Sequence, residues 1–374
     1  MPKTEKNSDN KEKPLLLVCP LDWGLGHTTR MIPVIRHLLD LDCEVVVACN
    51  STQRTLLEKE FAVLRFVHLK GYNIEYGQNK TGTMVKLLLL LPNILIKVKS
   101  EEVWFLRFLE QNRVNAVISD NRYGFGKTGI TSILVTHQLQ IRSGFGSLAD
   151  AILRKLLYRR INSFTECWVP DFETQPNLAG KLSHPYKFPR IPVRYLGALS
   201  RLKACSDPGP ELPNILIILS GPEPQRTILE NIILNELGSR RFHDIVLIRG
   251  LPGGSNILPE IPGVLILNHA NAEELNEFMC TSGLIISRSG YTTVMDVIKL
   301  KKKMVTVPTP GQSEQEYLAR HLSENNIAAC LLQKEFSLQS AILKSAAFPY
   351  HFPSVNMDQY KEVIASFIAS QFSL

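Results

Sequence analysis

A run of small and hydroxylated residues, Ser287-Arg288-Ser289-Gly290-Tyr291-Thr292-Thr293, follows the apolar Leu284-Ile285-Ile286 and leads into a helical pattern that carries Asp296. Backbone N–H groups at such a helix start attract an anion. A carboxylate deeper on the same helix can accept two hydrogen bonds from a ribose diol. The layout suits a phosphorylated, sugar-bearing ligand, with Ser289, Gly290, Tyr291 and Thr292 at the anion and Asp296 at the diol.

Other chemistry-bearing residues fall at equivalent places, just past apolar runs. Gly24-Leu25-Gly26-His27 follows the first such run. Gly24 and Gly26 allow a tight turn and close approach to a ligand. Near neutral pH His27 can take a proton from a hydroxyl. The GxGxxG fingerprint is incomplete, because Thr28-Thr29-Arg30 follow the histidine. Ser119-Asp120-Asn121-Arg122 and Thr136-His137-Gln138 also end buried runs, where polar side chains face a crevice. Asp120 could hold a second histidine, orient an acceptor hydroxyl or act as the base. Asn121, Arg122 and His137 are cleft candidates. The plainer readings are a turn cap for Asp120 and a satisfied structural histidine for His137.

Ser220-Gly221-Pro222-Glu223-Pro224-Gln225-Arg226 offers Ser220 and Gly221 for close approach to a phosphate and Arg226 to pair with it. Its two prolines remove donors that a phosphate nest would use. A lysine-containing P-loop is missing, which weighs against ATP or GTP hydrolysis. Asn271 to Leu275 starts a short helix that can edge a base, and Glu314 and Gln315 can meet sugar hydroxyls.

The elements that position these residues alternate. Apolar runs at Pro14–Cys19, Glu44–Ala48, Val63–Val67, Val114–Ile118, Ser132–Val135 and Glu166–Val169 read as strands, with a helix from Thr28 to Asp40. The pattern restarts with Ile215–Leu219, Asp244–Ile248, Val264–Leu267, Leu284–Ile286 and Met304–Val307, with helices at Gln225–Glu236, Tyr317–Ser323 and Asp358–Ser370. Continuous apolar runs between helices predict parallel sheets buried on both faces. A Pro/Gly-rich stretch, Tyr186 to Leu212, separates the halves. The expected divisions are a disordered tail at 1–13, a first α/β domain at 14–196, a linker at 197–213, a second at 214–357, and a C-terminal helix at 358–374 that can return to the first domain.

A chain of 374 residues is long enough for two cores. A net charge of +7 favours anionic partners without choosing among them. The 7 cysteines are scattered with no CxxC, which reads as reduced thiols and gives a zinc site little support. The polar N-terminus lacks an apolar signal region, and the longest apolar run, Leu87 to Leu91, is stopped by Pro92. A cytoplasmic protein is expected. Leu87 to Lys99 is strongly apolar, and Ile152 to Arg160 is basic and amphipathic. These stretches suit peripheral contact with the anionic inner face of a membrane. The basic segment lacks the interleaved aromatics of a nucleic-acid module, so no nucleic acid is expected.

Together these residues resemble the glycosyltransferase family that includes MurG-like N-acetylglucosaminyltransferases, from about Leu15 to Leu322. The resemblance implies an α/β GT-B fold, two Rossmann-like domains facing a cleft, with the acceptor side first and the nucleotide-sugar side second. Gly24-Leu25-Gly26-His27 is similar to the family's GxGGH turn, which makes His27 the base candidate. Gly197 and Arg201 match the ends of a GNPVR-like segment, so Arg201 is expected at the diphosphate. Ser220 to Arg226 matches a GGSQGAR-like turn only at Gly221 and Arg226. Asn271 to Leu275 falls on the uracil edge. Ser287 to Asp296 matches SRSGxxTxxE, with aspartate for glutamate. The family's sugar-reading Gln-Gln pair falls on Glu314 and Gln315.

The implied reaction is inverting transfer of a hexose or N-acetylhexosamine from a UDP-sugar to a hydroxyl acceptor, lipid-linked or small. The UDP-sugar is a co-substrate, with no cofactor or obligatory metal. Two rivals remain: a nucleotide-sugar 2-epimerase, and a non-catalytic nucleotide-sugar-binding or membrane scaffold protein.

Overall fold

The computed structural model describes residues 12–72, 80–126, 129–141, 146–205, 215–221, 223–240, 242–251, 254 and 257–372. Most of the expected tail, linker residues 206–213 and Pro222 lie outside these, and residues 80–92 are described as helix backbone only.

The first half is a seven-stranded parallel sheet. Its strands are β1 (Leu15–Pro20), β2 (Glu44–Cys49), β3 (Arg65–His68), β4 (Ala116–Asp120), β5 (Thr131–Val135), β6 (Glu166–Val169) and β7 (Val193–Tyr195), in the order β3-β2-β1-β4-β5-β6-β7. Its helices are α1 (Leu25–Asp40), α2 (Ser51–Glu60), α3 (Lys80–Gln111) and α4 (Ser147–Ile161). The second half is a six-stranded parallel sheet of β8 (Ile215–Ile218), β9 (Ile245–Ile248), β10 (Val264–Leu267), β11 (Leu284–Ser287), β12 (Met304–Thr306) and β13 (Ala329–Cys330), ordered β10-β9-β8-β11-β12-β13. It carries α5 (Gln225–Ser239), α6 (Ala272–Thr281), α7 (Tyr291–Leu300), α8 (Ser313–Glu324) and α9 (Leu338–Ala347). The last helix, α10 (Gln359–Phe372), packs back on α1 and β7.

The sheets form because β1 and β4 bury both faces. Leu16, Leu17, Val18, Val117 and Ile118 are fully buried. In such sheets the strand order reverses at a switch point, and ligands bind outside the strand ends there. One switch lies between β1 and β4, where Pro20 pairs with Asp120. The other lies between β8 and β11, where Ile218 pairs with Ser287. One apolar core joins the halves: Met31, Ile35 and Leu38 of α1, Val294 and Ile298 of α7, and Ile364 and Phe367 of α10. The Phe367 ring stands edge-on to Trp168 of β6, 5.2 Å between centroids.

Several local expectations are corrected. Helix α1 starts at Leu25 rather than Thr28, because Gly24 takes a left-handed φ of 78° as the N-cap. Helix α3 continues through Pro92, which deletes one helical bond in a segment of 32 residues. Among the described residues no helix is long and apolar enough to cross a membrane. The thiols are not all free: Cys205 after the first half is bonded to Cys280 at the end of α6. Their Cα atoms lie 5.5 Å apart although 75 residues separate them, so no local spacing signals the pair.

Candidate active site between the two sheets

His27, on the first turn of α1, and Asp120, the last residue of β4, meet at the first switch point, His27 Nδ1 to Asp120 Oδ2 3.0 Å. Arg30, one turn along α1, donates from Nε to the same Oδ2 at 2.9 Å and from Nη2 to Oδ1. The carboxylate is fully buried and the guanidinium 2% exposed. Burial pushes the Asp120 carboxyl up, but Arg30 and then His27 outweigh it and hold it at about 2. Burial and Arg30 push His27 below the usual imidazole range, against the opposing pull of Asp120. A charged acid and a neutral histidine therefore stand together at neutral pH. His27 Nε2 makes no hydrogen bond to any described residue.

The second half closes over this pair. Thr292, on the first turn of α7, donates to Gly26 O at 3.0 Å. A Cβ on Gly26 would stand 3.0 Å from the Thr292 hydroxyl, so a glycine is what lets α1 and α7 approach. Tyr291 donates to Pro170 O at 2.8 Å, and its ring stacks on His137. The His137 Nε2 lies 2.7 Å from Glu314 Oε1 at the start of α8. Burial raises the Glu314 carboxyl, but the His137 hydrogen bond and the nearby positive charge outweigh it, leaving it below the usual range. Gln315 turns inward: its Oε1 accepts Thr309 N at 2.9 Å and its carbonyl accepts the Ser289 hydroxyl at 2.8 Å.

Asp296 lies in the second turn of α7, away from this group. Its Oδ1 accepts the Ser200 hydroxyl at 2.5 Å, and burial raises its carboxyl to about 6 against Ser200, Arg201 and Lys299. Arg201 is close by but paired with Glu60 of α2 at 2.9 Å. Leu275 is half-buried on the face of α6 that packs against the core, and α6 starts at a reciprocal cap between Asn271 and Glu274. Gly290, the N-cap of α7, has an ordinary φ of −69°, so its lack of a side chain leaves space at the helix start rather than relieving the backbone.

The structure thus gathers Gly26, His27, Asp120, His137, Tyr291, Thr292 and Glu314. Other candidates stand elsewhere. Arg122 is fully buried behind the first switch point, paired with Glu101 at 2.7 Å and Asp22 at 3.2 Å, so it braces the loops instead of facing the cleft. Its neighbour Asn121 takes a left-handed φ of 53°, which turns the chain after β4. Arg226 is 5% exposed and held by Glu230 at 2.8 Å and Glu223 at 2.6 Å, so the carboxylates occupy its donors. Ser220 and Gly221 follow β8 at the second switch point, Gly221 with a left-handed φ of 98° and open space where a side chain would stand. Among the described residues no three His, Cys, Asp or Glu side chains are grouped to hold a metal.

Residues 269–369, which include α7 and α8, match the Glycosyltransferase family 28 C-terminal domain. The second half is thus related to the C-terminal domain of family 28 glycosyltransferases. The fold of the chain is GT-B: it superposes on the glycotransferase of kitacinnamycin with a TM-score of 0.65 at 13% identity, covering 96% of this chain and 100% of that one. Acinetobacter baumannii MurG aligns with a TM-score of 0.55 at 14% identity, over 96% and 99% of the two chains. Spinosyn rhamnosyltransferase SpnG gives 0.58 at 16%, over 96% and 93%. No curated protein matches by sequence.

On this GT-B frame the sequence reading missed two organising charges. Arg30 was visible only as a polar residue after His27, since its partner Asp120 lies 90 positions away. Asp171, fully buried, accepts from Phe172 N, Leu178 N, Ala179 N and the Ser183 hydroxyl at 2.6–3.0 Å. It shapes a loop whose Asn177 carbonyl lies 3.1 Å from His321 Nε2 of α8. An aspartate before a run of turn residues was the available signal.

Proposed function

We propose that the protein is an inverting glycosyltransferase that moves a hexosyl or N-acetylhexosaminyl unit from a UDP-sugar to a hydroxyl acceptor. The observation that carries the reading is the His27–Asp120 pair at one switch point facing the start of α7, in the family 28 domain, at the other. In the tautomer that carries its proton on Nδ1, toward Asp120, His27 presents a bare Nε2 to the acceptor. The acceptor O–H proton passes to Nε2 as its oxygen attacks the anomeric carbon, and the bond from that carbon to the β-phosphate oxygen breaks. The electron pair leaves with UDP. Asp120 takes the Nδ1–H hydrogen bond of the resulting imidazolium.

The N–H groups at the start of α7 are donors suited to the departing diphosphate, with Ser289, Gly290, Tyr291 and Thr292 around it and Arg201 as its cation. Asp296 would receive the ribose diol by exchanging its Ser200 hydrogen bond, and Leu275 would flank the base. Ser220 and Gly221 offer a second backbone approach. Glu314 and Gln315 would read the sugar. No metal is required by these steps.

The acceptor is proposed to be lipid-linked or a small molecule. On α4, Leu148, Ile152 and Leu156 are 77%, 55% and 55% exposed and share one helical face, with Arg154, Lys155, Arg159 and Arg160 on the same helix. Such a face suits peripheral contact with an anionic cytoplasmic membrane surface. Turnover of UDP-sugars with lipid-linked and small hydroxyl acceptors, against UDP-sugar alone, tests the assignment. Glycoside formed only with acceptor supports it; an epimer formed without acceptor would establish the 2-epimerase reading, and binding without turnover the scaffold reading.

A further inference from the structure

Arg30 contacts three groups that the proposed chemistry needs in a defined protonation state. It holds both oxygens of Asp120. Its Nη2 also lies 2.8 Å from His27 Nδ1, and its Nη1 lies 3.4 Å from His137 Nδ1. A guanidinium has donors and no acceptor, so an imidazole nitrogen gains from it only when bare. His137 fits this fully: Nδ1 accepts from Arg30, and Nε2–H donates to Glu314 at 2.7 Å.

His27 does not settle so simply. Its Nδ1 faces an acceptor, Asp120 Oδ2 at 3.0 Å, and a donor, Arg30 Nη2 at 2.8 Å. With the proton on Nδ1 it donates to Asp120, and Nε2 is a base. With the proton on Nε2, Nδ1 accepts from Arg30, and Nε2 becomes a base only after the proton shifts to Nδ1. Asp120 already has two bonds from Arg30 and gains least from a third, whereas a proton on Nδ1 would point at a buried cation.

We propose that Arg30 is a positioning residue that holds resting His27 in the Nε2–H form, and that the chain Glu314–His137–Arg30 ties this state to the contact between the two halves. The charged and titratable groups facing His27 are Arg30 on its own helix, Asp120 from β4, His137 after β5 and Glu314 from α8. Removing the cation leaves Asp120 as the dominant neighbour. The proton then moves to Nδ1, and His27 protonates at higher pH. The catalytic consequence rests on the reading of His27 as base; the tautomer does not.

The test is ¹⁵N-imidazole NMR of the full chain, with the His27 signals assigned by their loss in His27→Gln. Wild type is expected to show the Nε2–H pattern, and Arg30→Met the Nδ1–H pattern with a midpoint about one pH unit higher or more. Arg30→Lys keeps the charge and is expected to keep the low midpoint. A wild-type His27 with bare Nε2 overturns the proposal even if Arg30→Met does not fold, as does an unmoved midpoint in a folded Arg30→Met. Turnover is measured alongside against pH. If the NMR midpoint moves and the acid limb of kcat/KM follows, both readings hold. If only the NMR midpoint moves, Arg30 keeps its role and His27 is not the base.

Discussion

The imidazole of His137 stacks on the phenol of Tyr291, with centroids 4.2 Å apart and planes inclined by 10°, so an aromatic contact crosses from one half to the other. Tyr291 adds a hydroxyl bond to the Pro170 carbonyl. Tyr291→Phe keeps the stack and loses that donor, an expected cost of about 1 kcal/mol. Tyr291→Ala loses the buried ring as well, about 3–5 kcal/mol. Urea denaturation of both variants measures the difference, and equal losses would show that the stack adds nothing to stability.

His27→Ala is expected to lower turnover by roughly 10²–10⁴-fold, the usual contribution of a positioned general base. UDP affinity, measured by calorimetry, is expected to stay the same, because His27 lies in the acceptor half. A matching fall in affinity would move His27 out of the base role.

Asp296→Ala removes the proposed acceptor for the ribose hydroxyls. Hydrogen bonds to a charged group contribute about 1.5–3 kcal/mol, so UDP binding should weaken roughly 10- to 150-fold. Unchanged calorimetric affinity would reject the pocket around α7.

Asp120 and Asp296 predict opposite pH dependences. The Asp120 carboxyl, held at about 2, lies below its unfolded value of about 3.9. It stabilises the fold above about pH 4, and that contribution is lost as pH falls through about 2. Asp296, raised to about 6, is held best when protonated. Its contribution is full below about pH 4 and lost as pH rises through about 6, on the order of 2–3 kcal/mol. Asp296→Asn should therefore gain stability relative to wild type between pH 4 and pH 7, while Asp120→Asn should flatten the acid limb between pH 4 and pH 2. Denaturant titrations across that range check both signs.

Ile152→Glu with Leu156→Glu should abolish sedimentation with phosphatidylglycerol vesicles and leave UDP binding intact. Arg154→Gln with Lys155→Gln should weaken it and reduce its salt dependence. Binding that survives the glutamates would exclude α4 as the contact.

Both sheets were legible because β1, β4, β8 and β11 are continuous apolar runs, a signal that survives without tertiary context. Strands β7 and β13 were not. β7 sits among Pro189, Pro192 and Gly197, and β13 has two residues, so both form by pairing with an existing sheet edge. Helix α2 buries only Gln53 and Leu57 and is set by the reciprocal cap between Asn50 and Gln53. At the site, residues that follow strand ends could be read from sequence. The partnerships could not: Arg30 with Asp120, His137 with Glu314 and Ser200 with Asp296 each join segments about a hundred or more positions apart. Arg122 likewise pairs with Glu101 and Asp22, 21 and 100 positions away, whereas Arg226 is held by its near neighbours Glu223 and Glu230.

The bond from Cys205 to Cys280 makes residues 206–279 a covalently closed loop holding β8, α5, β9, β10 and most of α6. A protease that cuts once inside this loop leaves the two fragments attached. The nicked chain would migrate as one band on a non-reducing gel and as two after dithiothreitol, whereas a cut in the first half would release its fragment under either condition once denatured.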